Sequence, residues 1–189
     1  MKDRWLRMSA GIGLLAVIAA APGLGQGRRD PFTREEIDQI RDTSWEPQLR
    51  LALYVKFARA RLVQLEQMRS DPKTKNRARQ THDHLDDFLL IYDELNDNIG
   101  TYVDRKNDIR KPLKVIIDAD TEFQAKLRAL KDAADASPEE FKQYEFVLSN
   151  ALETVDSDSE DHRQTLVDQE EAAKHRKKSS SAQAGGRPE

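Results

Sequence analysis

The chain has 189 residues with 31 basic and 34 acidic side chains, and its formal net charge of −3 argues against a polyanion-binding protein. Charged residues make up 34% of it and aromatics 6%, against roughly 25% charged in ordinary globular domains, a composition suited to long solvated helices around a thin core. The absence of cysteine removes disulfides, iron–sulfur clusters, thiolate zinc sites, thiol nucleophiles and a lipidated cysteine, leaving chemistry to His, carboxylates and hydroxyls.

Lys2, Arg4 and Arg7 form a basic start, and the run from Met8 to Ala21 is rich in Ala, Leu, Ile and Gly. This predicts a secretory signal peptide over residues 1–25, with Gly23 and Gly25 at the −3 and −1 positions of the cut. An uncleaved anchor is the alternative, against which Pro22 and the glycines speak. Residues 26–173 are then expected to form a helical domain, periplasmic or secreted. Residues 174–189 are expected to be a disordered basic, Ser-rich tail.

Between Arg28 and Ala184 the one glycine is Gly100, so hairpin turns and phosphate-cradling loops have little material to form from. Prolines and capping residues parse the chain into helices near 33–42, 45–70, 72–104, 107–135 and 138–172. Thr33-Arg34-Glu35-Glu36 opens the first, and Ser44 precedes Trp45-Glu46-Pro47 at the second. Asp71-Pro72 opens the third. Ser137-Pro138-Glu139-Glu140 opens the fifth as a capping box, with Ser137 as N-cap and Glu140 closing it.

Apolar spacing says how these helices pack. Ala78, Thr81, Leu85, Phe88, Tyr92, Leu95, Ile99 and Tyr102 alternate at three and four residues, the seam of a helix packed along its length. Ile109, Leu113, Ile116, Asp120, Phe123, Leu127, Leu130 and Ala134 do the same, as do Leu51, Val55, Ala58, Leu62 and Leu65. The second helix also carries Leu49, Leu53, Tyr54 and Phe57, surplus apolar surface that a homodimer would cover. Phe141, Tyr144, Leu148, Ala151 and Val155 make the last stripe. The acidic stretch Asp156 to Asp161 ends it, which predicts a solvated or frayed distal half. The expected fold is all-α, an antiparallel up-down four-helix bundle with a short N-terminal helix.

Charge blocks suggest a register. Folding back at Asp71 sets Arg50, Lys56, Arg59 and Arg61 level with Asp83, Asp86, Asp87 and Asp93. Folding about residue 105 sets Arg110, Lys111 and Lys114 level with Asp93, Glu94 and Asp97. Folding about Ala136 sets the same three basic residues level with Asp158, Glu160 and Asp161. Arg69, Lys73, Lys75, Arg77 and Arg79 stay unmatched, an end that attracts an acidic ligand, lipid headgroup or partner unless it is a solvated loop.

Candidate sites are sparse. His82-Asp83-His84 with Asp86 and Asp87 is the densest set of metal-ligand types; His82 and Asp86 share a helix face, so a metal there needs a ligand from a neighbouring helix. The paired Glu-x-x-His of di-iron bundles is absent, because Arg79, Thr81 and Ser159 stand three residues before His82, His84 and His162. Asp156-Ser157-Asp158-Ser159-Glu160 imitates a calcium loop, but Asp161 replaces the turn glycine and Val167 the closing Glu. Haem is disfavoured, since no His falls on the seam of the second, fourth or fifth helix before the stripe ends. Asp120 sits on a seam where an unpaired carboxylate is costly. Either Ala119 turns inward in its place, or a hydroxyl such as Tyr92, or an Arg, meets it and fixes register; no His or second carboxylate is placed with it for catalysis. Trp45 is expected to pack the first helix, with Ile37 and Ile40, onto the end of the fold.

These features predict an exported protein that is not an enzyme, has no cofactor, binds no nucleic acid and has no membrane span once the signal is removed. It is expected to act by binding another macromolecule or by self-association. The alternatives are a periplasmic chaperone or stress-type protein, and a metal-binding bundle using His82 and Asp86.

Overall fold

A computed structural model describes residues 30–133 and 137–184, and the expected signal segment lies outside these. The described residues are all-helical: α1 (Arg34–Asp42), α2 (Pro47–Ser70), α3 (Arg77–Asp104), α4 (Arg110–Asp132), α5 (Pro138–Phe141) and α6 (Glu145–Ala184). No helix among them is long and apolar enough to cross a membrane.

Local chemistry explains where helices start, including where the sequence reading was off. Thr33 makes its capping box, with its hydroxyl accepting from the Glu36 N–H and its own N–H donating to the Glu36 carboxylate at 2.8 Å. The third helix begins at Arg77 rather than at Pro72. The Asp71 carboxylate takes the Lys73 N–H at 2.9 Å and the Thr74 hydroxyl bonds the Met68 carbonyl, so a local turn captures the backbone that a helix would have used. Asn76, left-handed at φ 53°, then redirects the chain into α3.

The fourth helix begins at Arg110 because α3 ends in a Schellman motif. The Lys106 N–H bonds the Val103 carbonyl and the Asn107 N–H bonds the Tyr102 carbonyl, with Lys106 at φ 58° where glycine is usual. Gln169 of α6 secures that loop, accepting from the Ile109 N–H and donating to the Asn107 carbonyl. The expected fifth helix is broken: Ser137 makes no side-chain cap bond, α5 stops at Phe141, and a turn over 142–144 leads into α6. Glu140 does not close a capping box, because Arg69 and Arg77 hold its carboxylate. At its other end α6 continues to Ala184, through the first part of the stretch expected as a disordered tail. Glu, Ala, Lys and Arg dominate residues 170–178, and all are strong helix formers.

Each long helix packs against two others: α2 against α3 and α4, and α6 against α4 and α3. Arg59–Glu122 and Glu66–Lys126 run α2 and α4 in the same direction. Arg77–Glu140, Asn96–Asp158 and Gln169–Asn107 do so for the α3 and α5–α6 pair. The α4–α6 level pairs, Lys114–Glu170 and Arg128–Asp156, are centred on Lys142 and not on Ala136, because the α5 turn takes up chain between them. α3 and α4 meet across the core, where the Phe88 and Phe123 rings pack edge to face at 5.3 Å. The expected charge matches are largely replaced: Arg59 reaches Glu122 of α4, Arg61 reaches Glu36 of α1, and Arg110 holds Asp108.

The core is continuous. Every expected seam residue of α2 and α3 is buried, as are those of α4 through Leu130, while Ala134 lies outside the described residues. Ala119 and Asp120 both turn inward. The surplus apolar face of α2 is largely covered from within: Phe32 packs edge-on against Tyr54 and Phe57, and Ile40 rests on the same core. Buried Arg61 ties that segment down through Glu36 and the Pro31 carbonyl. Trp45 takes no part in this. It is 91% exposed, because the α1–α2 turn over 43–45 carries it past the end of the core.

Candidate functional site

The site of greatest chemical content lies where α3, α4 and α6 face one another in the core. Asp120 of α4 is fully buried and its carboxylate has two partners: the Tyr92 hydroxyl of α3 donates to Oδ1 at 2.7 Å, and His162 Nδ1 of α6 lies 2.8 Å from Oδ2. His162 Nε2 lies 2.9 Å from Oδ1 of Asn96, whose Nδ2 donates to Asp158 Oδ2 at 2.5 Å. The wire therefore runs Tyr92, Asp120, His162, Asn96, Asp158, from the centre of the core to the partly exposed surface of α6.

Its surroundings fix its electrostatics. Burial, reinforced by the Asp120 charge and hydrogen bond, pushes the Tyr92 hydroxyl far above its usual range, so it serves only as a donor. Burial also raises the Asp158 carboxyl; the His162 charge opposes that, while Asp161, Asp93 and Asp120 add to it. Phe88, Tyr92 and Phe123 wall the Asp120 side with stacked and edge-on rings. Ser159, also buried, accepts from Gln124 of α4 and Arg163, and donates to the Asp156 carbonyl.

Asp120 is thus inward and met by Tyr92, the arrangement the seam allows. His162 is the residue that sequence reasoning missed. The acidic stretch after Val155 does not end the stripe or fray the helix; it lies within continuous α6, with Asp156 on Arg128, Asp158 on Asn96 and Ser159 buried. The signal was the spacing itself. Steps of four and three from Val155 land on Ser159 and His162 and reach Leu166 and Gln169, but the residue types are polar and mask the period.

The other candidates lie apart from this wire. His82 and Asp86 are both exposed on α3, with His82 Nδ1 3.8 Å from Asp83. Among the described residues no three His, Asp or Glu side chains converge to hold a metal ion. The calcium-like stretch, being helical, presents no loop. Of the basic block, Arg69 and Arg77 converge on Glu140, Arg77 through both nitrogens of its fork, so these two arginines have an acidic partner within the chain. Hydrogen bonds from Arg77 and Arg69 outweigh burial and hold the Glu140 carboxyl below its usual range. Lys73, Lys75 and Arg79 remain exposed.

Apolar surface stays uncovered at the opposite end. Leu49 and Val115 are half exposed, and with Gln48, Ala52, Lys111 and Pro112 they line an open depression of about 250 Å³ between α2 and α4. Exposed Trp45 precedes Leu49 in sequence and lies in the turn before α2. No protein-family model, curated protein or solved structure matches the chain.

Proposed function

We propose that the protein is an exported, non-enzymatic helical bundle, four helices in an up-down antiparallel chain order, that acts in the periplasm or outside the cell. In this reading residues 1–25 direct export and the helical domain binds another macromolecule or a second copy of itself. The observation that carries it is uncovered apolar surface: the indole of Trp45, in the turn before α2, is 91% exposed, and Leu49 and Val115, which line the depression between α2 and α4, are 50% and 52% exposed. Exposed aromatic and branched apolar side chains favour contact with a partner, since burying them removes apolar surface from water. The histidine–carboxylate pair supports a non-catalytic reading: His162 is 3% exposed and Asp120 0%, and their polar atoms are engaged with one another and with Tyr92 and Asn96.

Photo-cross-linking tests the proposal. A cross-linking side chain at position 45 is expected to trap a discrete adduct in cells producing the protein, and one at exposed position 86 is expected to trap none. An adduct at position 86 and none at 45 contradicts the choice of face, and none at either position contradicts the proposal.

A further inference from the structure

The wire from Tyr92 to Asp158 has a proton requirement that its geometry makes explicit. Both ring nitrogens of His162 face acceptors, the Asp120 carboxylate at 2.8 Å and the Asn96 amide oxygen at 2.9 Å, so both bonds exist only when both nitrogens carry hydrogen. The Asn96 amide is oriented by its other end, where Nδ2 meets the Asp158 carboxylate at 2.5 Å. A second arrangement satisfies the same groups. If the Asn96 amide turns by a half rotation, its nitrogen donates to His162 Nε2 and its oxygen accepts from a protonated Asp158. One proton has then moved from Nε2 to the Asp158 carboxyl, the count of hydrogens and the total charge are unchanged, and every bond is again made. Remove that proton and neither arrangement closes. With His162 neutral at Nε2 and Asp158 ionised, Asn96 must turn its oxygen toward one lone pair or the other.

We infer that this wire is a proton-dependent latch for the distal half of α6, closed when one proton is shared between His162 and Asp158 and opened when it is lost. Asp158 is the entrance, because it is the partly exposed end of the wire while Asp120 and His162 are sealed. Burial raises the Asp158 carboxyl, which favours its taking that proton. The stretch of α6 from Asp156 to Gln169 has few apolar anchors and is tied to the core through Ser159, His162 and the Gln169 contacts with the α3–α4 loop. The titratable and charged groups facing the wire are Tyr92 and Asp93 from α3, Asp120 from α4, and Asp158, Asp161 and Arg163 from α6. Acidic groups outnumber basic ones among these, so losing a proton adds a charge that the surroundings disfavour.

The test combines ring-nitrogen NMR of His162 with amide hydrogen exchange of α6, both followed from acidic to alkaline pH, on the full chain. Where the latch is closed, the ring is expected to show two N–H nitrogens, or one with a protonated Asp158. As pH rises and the proton leaves, exchange over residues 158–169 is expected to increase by at least about tenfold beyond the intrinsic rate, the equivalent of one pK unit of proton affinity. The variant Asp158→Asn separates this from general alkaline loosening. An amide at 158 offers oxygen or nitrogen to whichever way Asn96 turns, so the wire closes with either ring state and the pH dependence is expected to flatten. A neutral ring beside an ionised Asp158 while α6 is protected would overturn the latch. So would a pH dependence that persists unchanged in Asp158→Asn.

Discussion

The α2–α3 and α4–α6 interfaces are both antiparallel helix pairs of similar length, and they are built from different material. α2 and α3 pack along their length, and Leu51, Val55, Ala58, Leu62, Leu85, Ile91 and Leu95 of these helices are buried in the apolar core. Between α4 and α6 the apolar seam is interrupted by Asp120, Gln124, Ser159 and His162, whose side chains bond one another or Tyr92. Apolar contacts are non-directional and tolerate a shift of register. Buried hydrogen-bonded groups do not, because a shift leaves each of them unpaired at a cost of several kcal/mol. The first interface supplies stability, and the second selects which way the last helix sits.

Mutations separate the two roles. In the apolar pair, Leu85→Ala removes a fully buried side chain and is expected to cost about 2–5 kcal/mol, read from the midpoint of urea denaturation. In the polar pair, Asp120→Ala strands His162 and Tyr92 and is expected to cost a similar amount, about 3–5 kcal/mol. The combination Asp120→Leu, His162→Leu and Tyr92→Phe removes all three partners together. It is expected to be near neutral, within about 1 kcal/mol of the parent or more stable, with broadened NMR lines for α6 if register is what the network supplies. A triple variant as unstable as Asp120→Ala would make the two interfaces equivalent and remove the distinction.

The ion-paired ends give smaller effects. Glu140→Gln loosens the α5 turn from Arg69 and Arg77, and is expected to lower stability by about 1–2 kcal/mol given the partial exposure of the cluster. Its pH signature has a definite sign. The Glu140 carboxyl is held below its usual range by Arg77 and Arg69. That of Glu36 is lowered too: burial alone would raise it, but the Arg61 and Thr33 bonds prevail. Asp108 is held at about 2, chiefly by Arg110. Each contributes stability that is present above the ordinary carboxylate range and lost as pH falls through the lowered value. Asp158, raised by burial, acts in the opposite sense and favours folding as pH falls through its raised value. Acid unfolding of Glu140→Gln is therefore expected to be shallower than that of the parent, as followed by circular dichroism. At the smallest end, Trp45→Ser is expected to leave the denaturation midpoint unchanged.

This contrast also separates what the sequence disclosed from what it concealed. The α2 and α3 seams were legible because apolar identity and helical spacing coincide there, from Ala78 through Tyr102. The start of α1 at Thr33 to Glu36 was legible because its signal is local. His162 was not, because its period continues through Asp156 to Asp161, where residue type argues for solvent. The Asp71–Asn76 turn was hidden because Pro72 serves a turn as well as it serves a helix start. The broken fifth helix follows from long-range capture of Glu140 by Arg69 and Arg77, and no local pattern encodes it. Trp45 was misplaced on residue type alone; a large aromatic is usually covered, and the turn that carries this one outward leaves no mark in the spacing.

Native-state hydrogen exchange, resolved by residue, tests most directly the claim that the polar seam holds α6 as a packed core helix. While the proton shared by His162 and Asp158 is held, the account predicts that amides around Ser159 and His162 are protected to a degree comparable with those around Leu85 and Phe88. Free exchange beyond Val155, with protection retained in α2 and α3, would contradict it.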